Sequence, residues 1–207
     1  MSLPTLLLLT DRSQLRLGRS LVRTVAECTE AGLTHVVLRE LDLPDPQRAA
    51  LAAELAATGV RVIAARTPLP GVVGVHLPSV AGGGGNTLLP AVDGRRNGRL
   101  PGVTACYPLW GRSCHTRADV IAAAADSFDY ATLGPFAATA SKPNYGPALP
   151  PSEYGGHPIP VFALGGITPT NAELALEAGA YGVAVMGAVM RAASPKSVVR
   201  DLLTVVG

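Results

Sequence analysis

Eight short apolar runs recur along the chain, and their spacing constrains the fold more than any other feature of the sequence. The runs are continuous rather than alternating, and most are followed by a stretch with helical periodicity. Continuous apolar runs are typical of parallel strands that are buried on both faces. The predicted strands are Thr5–Thr10, Thr34–Leu38, Val60–Ala64, Val72–Leu77, Leu109–Cys114, Tyr130–Leu133, Pro160–Leu164 and Tyr181–Met186.

Helices are predicted between most of these strands, and their limits follow from capping residues and glycine or proline punctuation. In the first predicted helix, Leu21, Val25 and Cys28 share one face. The third and fourth strands are too close in sequence for a standard helix to lie between them. The predicted helices are Leu17–Ala31, Asp45–Thr58, Asn86–Arg96, Thr116–Asp126, Thr168–Ala178 with Pro169 first, and Pro195–Val206. For the fifth strand, Val103–Cys106 is the alternative to the preferred Leu109–Cys114.

Strands that alternate with helices predict an α/β protein, a single (β/α)8 TIM barrel over residues 1–207 with some shortened helices. An open doubly wound sheet is the alternative, but no GxGxxG turn follows the first strand. Apolar residues make up 48% of the chain and charged residues 15%, which supports a large core and argues against disorder.

Charge and cysteine content narrow the functional classes. A net charge of +2 gives no reason to expect nucleic acid, and the cluster of Arg95, Arg96 and Arg99 has no interleaved aromatics. The three cysteines lack metal-like spacing and are interpreted as reduced thiols of a cytoplasmic protein. The apolar run at Thr5–Thr10 is too short to span a membrane and lacks the basic region of a signal peptide.

A glycine pair after the seventh predicted strand is the strongest local signal. Gly165 and Gly166 stand between a buried strand and a predicted helix, and Met186 and Gly187 repeat the arrangement one strand later. Glycines let the backbone approach a ligand, and loops after strands seven and eight commonly bind phosphate in these barrels. The two matched loops predict a phosphate site, while tight turns without a ligand are the alternative.

Histidine, serine and charged residues follow other strands. His115 lies just after the fifth strand beside Ser113, where it could transfer protons or cap the next helix. His76 ends the fourth strand and is interpreted as a satisfied residue of the barrel mouth. The pair Arg39 and Glu40 ends the second strand as either a salt bridge or a substrate contact.

The loop after Gly134-Pro135-Phe136 carries Thr139 and Lys142, which suit an anionic ligand. A mobile surface loop is the alternative there.

The motifs in order resemble the thiamine phosphate synthase and TenI superfamily over almost the whole chain. They are Thr10-Asp11, Leu38-Arg39-Glu40, Gly74-Val75-His76-Leu77, Ser113-Cys114-His115, Gly134-Pro135-Phe136, Ala163-Leu164-Gly165-Gly166-Ile167 and Gly182-Val183-Ala184-Val185-Met186. The resemblance implies either of two activities. Synthases join a pyrimidine diphosphate to a thiazole phosphate with Mg2+, and some TenI-like proteins are thiazole tautomerases.

Departures from the synthase pattern favour the TenI branch. That pattern has an Asn-Asp pair, which holds metal and diphosphate, where this chain has Ala64-Ala65, and the 78–85 stretch has no carboxylate. The segments His76–Ser79 and Gly111–His115 are similar to the TenI branch, whereas Thr139–Pro143 is more similar to the synthase loop.

The sequence therefore predicts a metal-free thiazole tautomerase that acts on a thiazole phosphate carboxylate. The resemblance implies His115 as its acid–base residue, with His76 as the rival. The predicted substrate-binding residues are Arg39, Ser113, Thr139, Lys142, Gly165, Gly166, Met186 and Gly187. The alternatives are a thiamine phosphate synthase with an atypical Mg2+ site and a non-catalytic phosphate-binding regulator. No cofactor, nucleic acid or membrane is expected, and a homodimer is left open.

Overall fold

Eight parallel strands close into a barrel in sequence order. The computed structural model describes residues 3–16, 18–79, 108–138 and 146–207, and within these ranges β8 pairs with β1 to complete the ring. The strands are β1 (Leu6–Leu9), β2 (His35–Leu38), β3 (Arg61–Ala65), β4 (Gly74–Leu77), β5 (Leu109–Cys114), β6 (Tyr130–Leu133), β7 (Val161–Leu164) and β8 (Gly182–Val185). The predicted (β/α)8 class is confirmed.

Helices connect the strands on the outside of the barrel. They are α1 (Leu21–Glu30), α2 (Asp45–Ala56), α3 (Arg117–Ala125), α4 (Ala172–Glu177), α5 (Gly187–Met190) and α6 (Pro195–Val206), with 3-10 turns at Arg12–Gln14 and Pro151–Glu153. In the ranges that the structure describes, no helix has the length and apolar character needed to cross a membrane. The helix predicted at Asn86–Arg96 and the alternative strand at Val103–Cys106 lie outside the described residues.

Several predicted limits agree with the structure, including those of β5, β6 and α6, and β3 and β4 are joined without a helix. The first helix, however, begins at Leu21 rather than at Leu17. Ser20 is the reason, because its hydroxyl accepts a hydrogen bond from the amide of Arg23 at 3.2 Å and caps the helix.

The helix after β7 is shorter than predicted, and this correction bears on the site. It begins at Ala172 rather than at Thr168, so Pro169 is not its first residue. The side chain of Asn171 accepts a hydrogen bond from the amide of Thr168 at 2.8 Å and donates one to the carbonyl of Gly166 at 3.0 Å. These two bonds hold 168–171 as a turn, because a side chain takes the place of helical partners.

Two apolar layers form the core. One lies between the strands and the helices, and includes Leu21, Val25 and Cys28, which face the barrel from α1 as predicted. The other fills the barrel interior with Leu7, Leu9, Val37, Ile63, Ala65, Tyr130, Phe162 and Ala184. The rings of Tyr130 and Phe162 meet edge to face with centroids 5.5 Å apart. The interior is thus a packed plug below the mouth rather than a pore.

Candidate active site

A cavity of about 610 Å³ opens at the carboxyl ends of the strands. Every strand end contributes to its wall, as represented by Asp11, Arg39, Arg66, Pro78, His115, Gly134, Gly165 and Met186. Active sites of (β/α)8 enzymes are built at this face, because the loops there can vary without disturbing the barrel. The cavity is therefore the candidate active site.

Most residues predicted for the site line this cavity. They are Arg39, His76, Ser113, His115, Gly165, Gly166, Met186 and Gly187. Thr139 and Lys142, the other two, lie outside the described residues. The structure thus brings eight predicted residues to one mouth, while the role of each stays a prediction.

The glycine pair after β7 is required by its own backbone. Gly165 and Gly166 have φ angles of +97° and +68°, which favour glycine. A Cβ on Gly166 would lie 2.6 Å from the carbonyl oxygen of Ala138 and 2.7 Å from that of Ala137. The pair therefore forms a tight turn against the loop after β6. Such a turn would account for both glycines even without a ligand, which is the alternative given by the sequence.

The same turn leaves backbone donors for an anion. Among the described residues, no protein acceptor is recorded for the amides of Gly166 and Gly187. Buried or half-buried amides without protein partners are suited to an anionic ligand. The two short helices α4 and α5 supply little dipole, and α4 begins six residues beyond Gly166. The N-terminus of α4 therefore does not reach Gly166, whereas α5 begins at Gly187 itself, and the support for a phosphate site comes mainly from the amides.

His76 is built into the barrel wall. The residue is buried, with Nδ1 3.1 Å from the hydroxyl of Tyr130 and Nε2 2.9 Å from Oγ of Ser113. Burial, assisted by the positive charge of Arg39, lowers the pKa of His76 to about 4. A neutral ring with both nitrogens engaged is poorly placed to exchange protons with a ligand, and it is well placed to orient Ser113.

The position of Tyr130 explains a glycine of β5. A Cβ on Gly111 would lie 2.5 Å from Cε1 of the Tyr130 ring, so glycine alone leaves room for the ring inside the barrel. The rings of Tyr130 and His76 stack with centroids 5.5 Å apart. Gly111 therefore permits the buried chain of Tyr130, His76 and Ser113 that runs up to the mouth.

His115 has a different environment. It lies between β5 and α3, is half-buried, and places Nδ1 3.1 Å from the carbonyl oxygen of Gly134. A carbonyl can only accept, so Nδ1 carries the proton and Nε2 of the neutral ring is the basic nitrogen. The capping role considered for this residue belongs instead to Thr116, whose hydroxyl accepts from the amide of Asp119. The backbone carbonyl of Gly134 therefore fixes the tautomer of the His115 ring.

The neighbours Arg39 and Glu40 have separate functions. Glu40 is buried and accepts hydrogen bonds from the amide of Arg12 at 3.1 Å and from its guanidinium at 2.9 Å. Arg39 lines the cavity, and its Nη1 lies 2.7 Å from Sδ of Met186. Glu40 is thus a structural salt bridge, and Arg39 is the member of the pair available to a ligand.

Several residues of the cavity were missed by the sequence-based prediction. Arg66, Thr132, Gln14 and Arg191 all line it. Arg66 directly follows Ala64-Ala65, and its φ of +66° is unusual for a residue other than glycine. Gln14 and Arg191 carry no signal in the sequence, because they meet only when β1 and β8 pair.

Thr132 is a buried polar residue of the barrel wall. It is 1% exposed, and within the described part of the chain its hydroxyl has no hydrogen-bond partner. Register places it opposite Ser113 on β5. An unpaired buried hydroxyl costs roughly 1–3 kcal/mol, so its position on the cavity wall favours a polar ligand group.

Cysteine chemistry contributes little to the described mouth. Cys114 lines the cavity, but burial and the charge of Asp119 raise its pKa to about 12, although Arg112 acts in the opposite direction. The thiol therefore stays protonated and is a poor nucleophile. Cys28 and Cys114 are free thiols, whereas Cys106 lies outside the described residues.

The described residues do not fit the Mg2+ site of the synthase pattern. Ala64 and Ala65 end β3 and offer no side-chain oxygen, and Asp11 provides the one carboxylate on the described cavity wall. Asp11 already accepts hydrogen bonds from Ser13 and Gln14. Among the described residues, no group of three His, Cys, Asp or Glu side chains could hold a metal ion. Mg2+ prefers several oxygen ligands, and this donor set supplies too few.

Comparisons with known proteins identify the family of this chain. The family described as thiamine monophosphate synthase matches residues 106–189. The "Putative thiamine-phosphate synthase" of Geobacter sulfurreducens is 36% identical, over 96% of this chain and 92% of that protein. A thiamine-phosphate synthase of Prochlorococcus marinus is 32% identical over 95% of this chain, which spans only 55% of that longer protein.

A solved structure gives the same topology. The thiamine phosphate pyrophosphorylase of Pyrococcus furiosus aligns with a TM-score of 0.77 at 21% identity, over 98% of this chain and 95% of that one. At this identity the likeness shows the fold alone. The relative from Geobacter, by contrast, shares more than a third of its residues over nearly the whole of both chains. This chain belongs to the thiamine phosphate synthase and TenI superfamily.

Proposed function

We propose that this protein is an enzyme of thiamine biosynthesis that binds a phosphorylated thiazole in the barrel mouth. The observation that carries the proposal is the presence, in one cavity, of His115 after β5 and of loop amides after β7 and β8 that have no partner among the described residues. The loops would hold the phosphate, and the ring would then lie between them and the histidine. Holding a substrate beside a catalytic group removes much of the entropic cost of reaction.

The reaction that the described geometry supports best is a proton shift within a thiazole phosphate carboxylate. Nε2 of His115 would accept a proton from the ring, and the imidazolium would return a proton to another ring position, so that no proton is gained or lost overall. The carbonyl of Gly134 would stabilise the imidazolium through Nδ1, which is 3.1 Å away. Neither a metal nor a redox step enters this scheme.

Ser113 and His76 would position the substrate in this scheme. Ser113 lines the cavity, and His76, 2.9 Å away, fixes the direction of its hydroxyl. Because His76 stays neutral, it can hold Ser113 in one orientation over a broad pH range. Arg39 would add positive charge on the phosphate side of the ring.

The coupling of a pyrimidine diphosphate to a thiazole phosphate is the second candidate. The names of the similar proteins favour it over the proton shift, since the Geobacter and Prochlorococcus relatives are both named for that synthase. The donor set described above opposes it, because a leaving diphosphate is usually stabilised by metal ions and cationic clamps.

Two assays on the purified protein separate the candidates. The first follows the aromatisation of thiazole phosphate carboxylate by NMR. The second measures thiamine phosphate formed from the pyrimidine diphosphate and thiazole phosphate with Mg2+. We expect turnover in the first assay and none in the second.

Robust thiamine phosphate formation would overturn the tautomerase proposal and establish the synthase. Inactivity in both assays, with thiazole phosphate still bound in a soaked crystal, would indicate a non-catalytic binding protein instead.

A further inference from the structure

Gly187 packs against a side chain that the sequence does not identify as its neighbour. Unlike Gly165 and Gly166, Gly187 is not among the residues with positive φ, and it begins the helical turn α5. A Cβ at this position would lie 2.5 Å from Cζ of Arg191, with the two terminal nitrogens closer still. The guanidinium of Arg191 therefore occupies the space that a side chain at position 187 would take, and a Cβ there would have to displace it.

A hydrogen-bonded chain from β1 holds that guanidinium in place. Nη1 of Arg191 donates to Oε1 of Gln14, and Nε2 of Gln14 donates to the carboxylate of Asp11 at 2.6 Å. The backbone amide of Gln14 also donates a hydrogen bond to the backbone carbonyl of Asp11 at 3.1 Å. Arg191 is thus anchored to the neighbouring strand end, and its cationic group lines the cavity.

A second guanidinium approaches the same loop. Nη1 of Arg39 lies 2.7 Å from Sδ of Met186, the residue that precedes Gly187. Two arginines therefore lie against consecutive residues of the loop that is proposed to receive phosphate. Arginine binds phosphate with two parallel N–H donors, and the planar group needs a fixed approach to do so.

We propose that Arg191 is a phosphate ligand of this site, and that the absence of a side chain at Gly187 leaves room for its guanidinium. The inference rests on the proposed function, since the bound group is the phosphate of the thiazole substrate or, in the synthase case, a phosphate or diphosphate of its substrates. All of these ligands present the same group to the site, a phosphoryl group that accepts hydrogen bonds from a guanidinium and from loop amides.

Calorimetric titration of the full chain with inorganic phosphate, diphosphate and thiazole phosphate tests the inference. Arg191→Gln should weaken the binding of thiazole phosphate about 10- to 100-fold, as expected for the loss of a hydrogen bond between charged groups. Arg191→Lys should recover only part of this loss, because it keeps the charge without the planar fork. Arg200→Gln, at an exposed position on α6, is the matched control and should leave binding unchanged.

Gly187→Ala displaces the guanidinium without removing its charge, and should weaken phosphate binding about as much as Arg191→Gln. Thermal unfolding of each variant checks that it folds. The unphosphorylated thiazole alcohol should bind all folded variants equally, because Arg191 acts on the phosphoryl group alone. Whichever of thiazole phosphate and diphosphate binds more tightly identifies the phosphoryl group that the site accepts.

The outcomes separate the two levels of the proposal. If the wild-type chain binds phosphate and Arg191→Gln binds it within twofold, the inference is overturned while the proposed function stands. If inorganic phosphate binds through Arg191 but neither thiazole compound binds, the inference stands and the proposed function fails. If the wild-type chain binds none of the phosphates, both are overturned.

Discussion

Lowering the pH from 7 to 5 should destabilise the fold through His76. The ring is buried between Tyr130 and Ser113, and burial together with the charge of Arg39 lowers its pKa from 6.5 to about 4. The unfolded chain takes up the proton near pH 6.5, whereas the folded chain stays neutral down to about pH 4. Between these values the unfolded state binds more protons, so stability falls as the pH falls.

The size of the effect follows from the two pKa values. At pH 5 the unfolded histidine is almost fully protonated and the folded one is mostly neutral, which corresponds to a loss of about 2 kcal/mol of unfolding free energy. His35 should contribute as well, because burial and the charge of Arg61 also lower its pKa to about 4. Only a difference between variants therefore isolates His76.

Urea unfolding at pH 7 and pH 5 measures that difference, with the fluorescence of Trp110, the single tryptophan, as the signal. His76→Gln removes the titrating group and keeps a polar side chain, so its loss of stability on acidification should be about 2 kcal/mol smaller than that of the wild type. The comparison uses the change with pH, which is independent of how much the substitution itself destabilises. If wild type and variant lose equal free energy, His76 is not held neutral in the folded state and the reasoning is wrong.

Three further predictions follow from the mouth. His115→Asn should lower turnover of the thiazole carboxylate by about 10²–10⁴-fold with phosphate affinity unchanged, and kinetics with parallel titrations will show it; full activity would exclude His115 as the base. Gly166→Ala should destabilise the protein more than Gly71→Ala in urea unfolding, because both have positive φ but a Cβ at Gly71 meets nothing within 4 Å; equal losses would mean that crowding by the β6 loop is absent. Thr132→Val should stabilise the ligand-free protein by about 1 kcal/mol, since it removes an unpaired hydroxyl at similar volume; a destabilised variant would show that the hydroxyl has a partner.

The sequence was sufficient for the barrel because its signal is local and repeated. Each continuous apolar run marks a strand buried on both faces, and Leu109–Cys114 was located to the residue. The predicted start of the helix after β7 was wrong because a side chain there replaces the backbone partners of a helix. Asn171 pairs with Thr168 and Gly166, and nothing in the local pattern distinguishes this turn from a helix that starts with Pro169.

For the site, residues at strand ends were predictable and residues that depend on tertiary pairing were not. Arg39, His76 and His115 follow apolar runs directly, so topology alone brings them to the mouth. Arg191 follows α5 rather than a strand, so its position at the mouth is known only from its contacts with Gly187 and Gln14. Gly187 was predicted as a site residue from the sequence, whereas its contact with Arg191, four residues further on, was not.

The two histidines of the mouth show why position at a strand end does not decide a role. His76 points its two nitrogens at Tyr130 and Ser113, and protonation there would place a buried charge near that of Arg39 in the barrel wall, which is why its pKa is lowered. His115 gives one nitrogen to a backbone carbonyl, which accepts equally from the neutral and from the protonated ring. The hydrogen bond to Gly134 is therefore compatible with either state of the ring, as the acid–base role proposed for His115 requires.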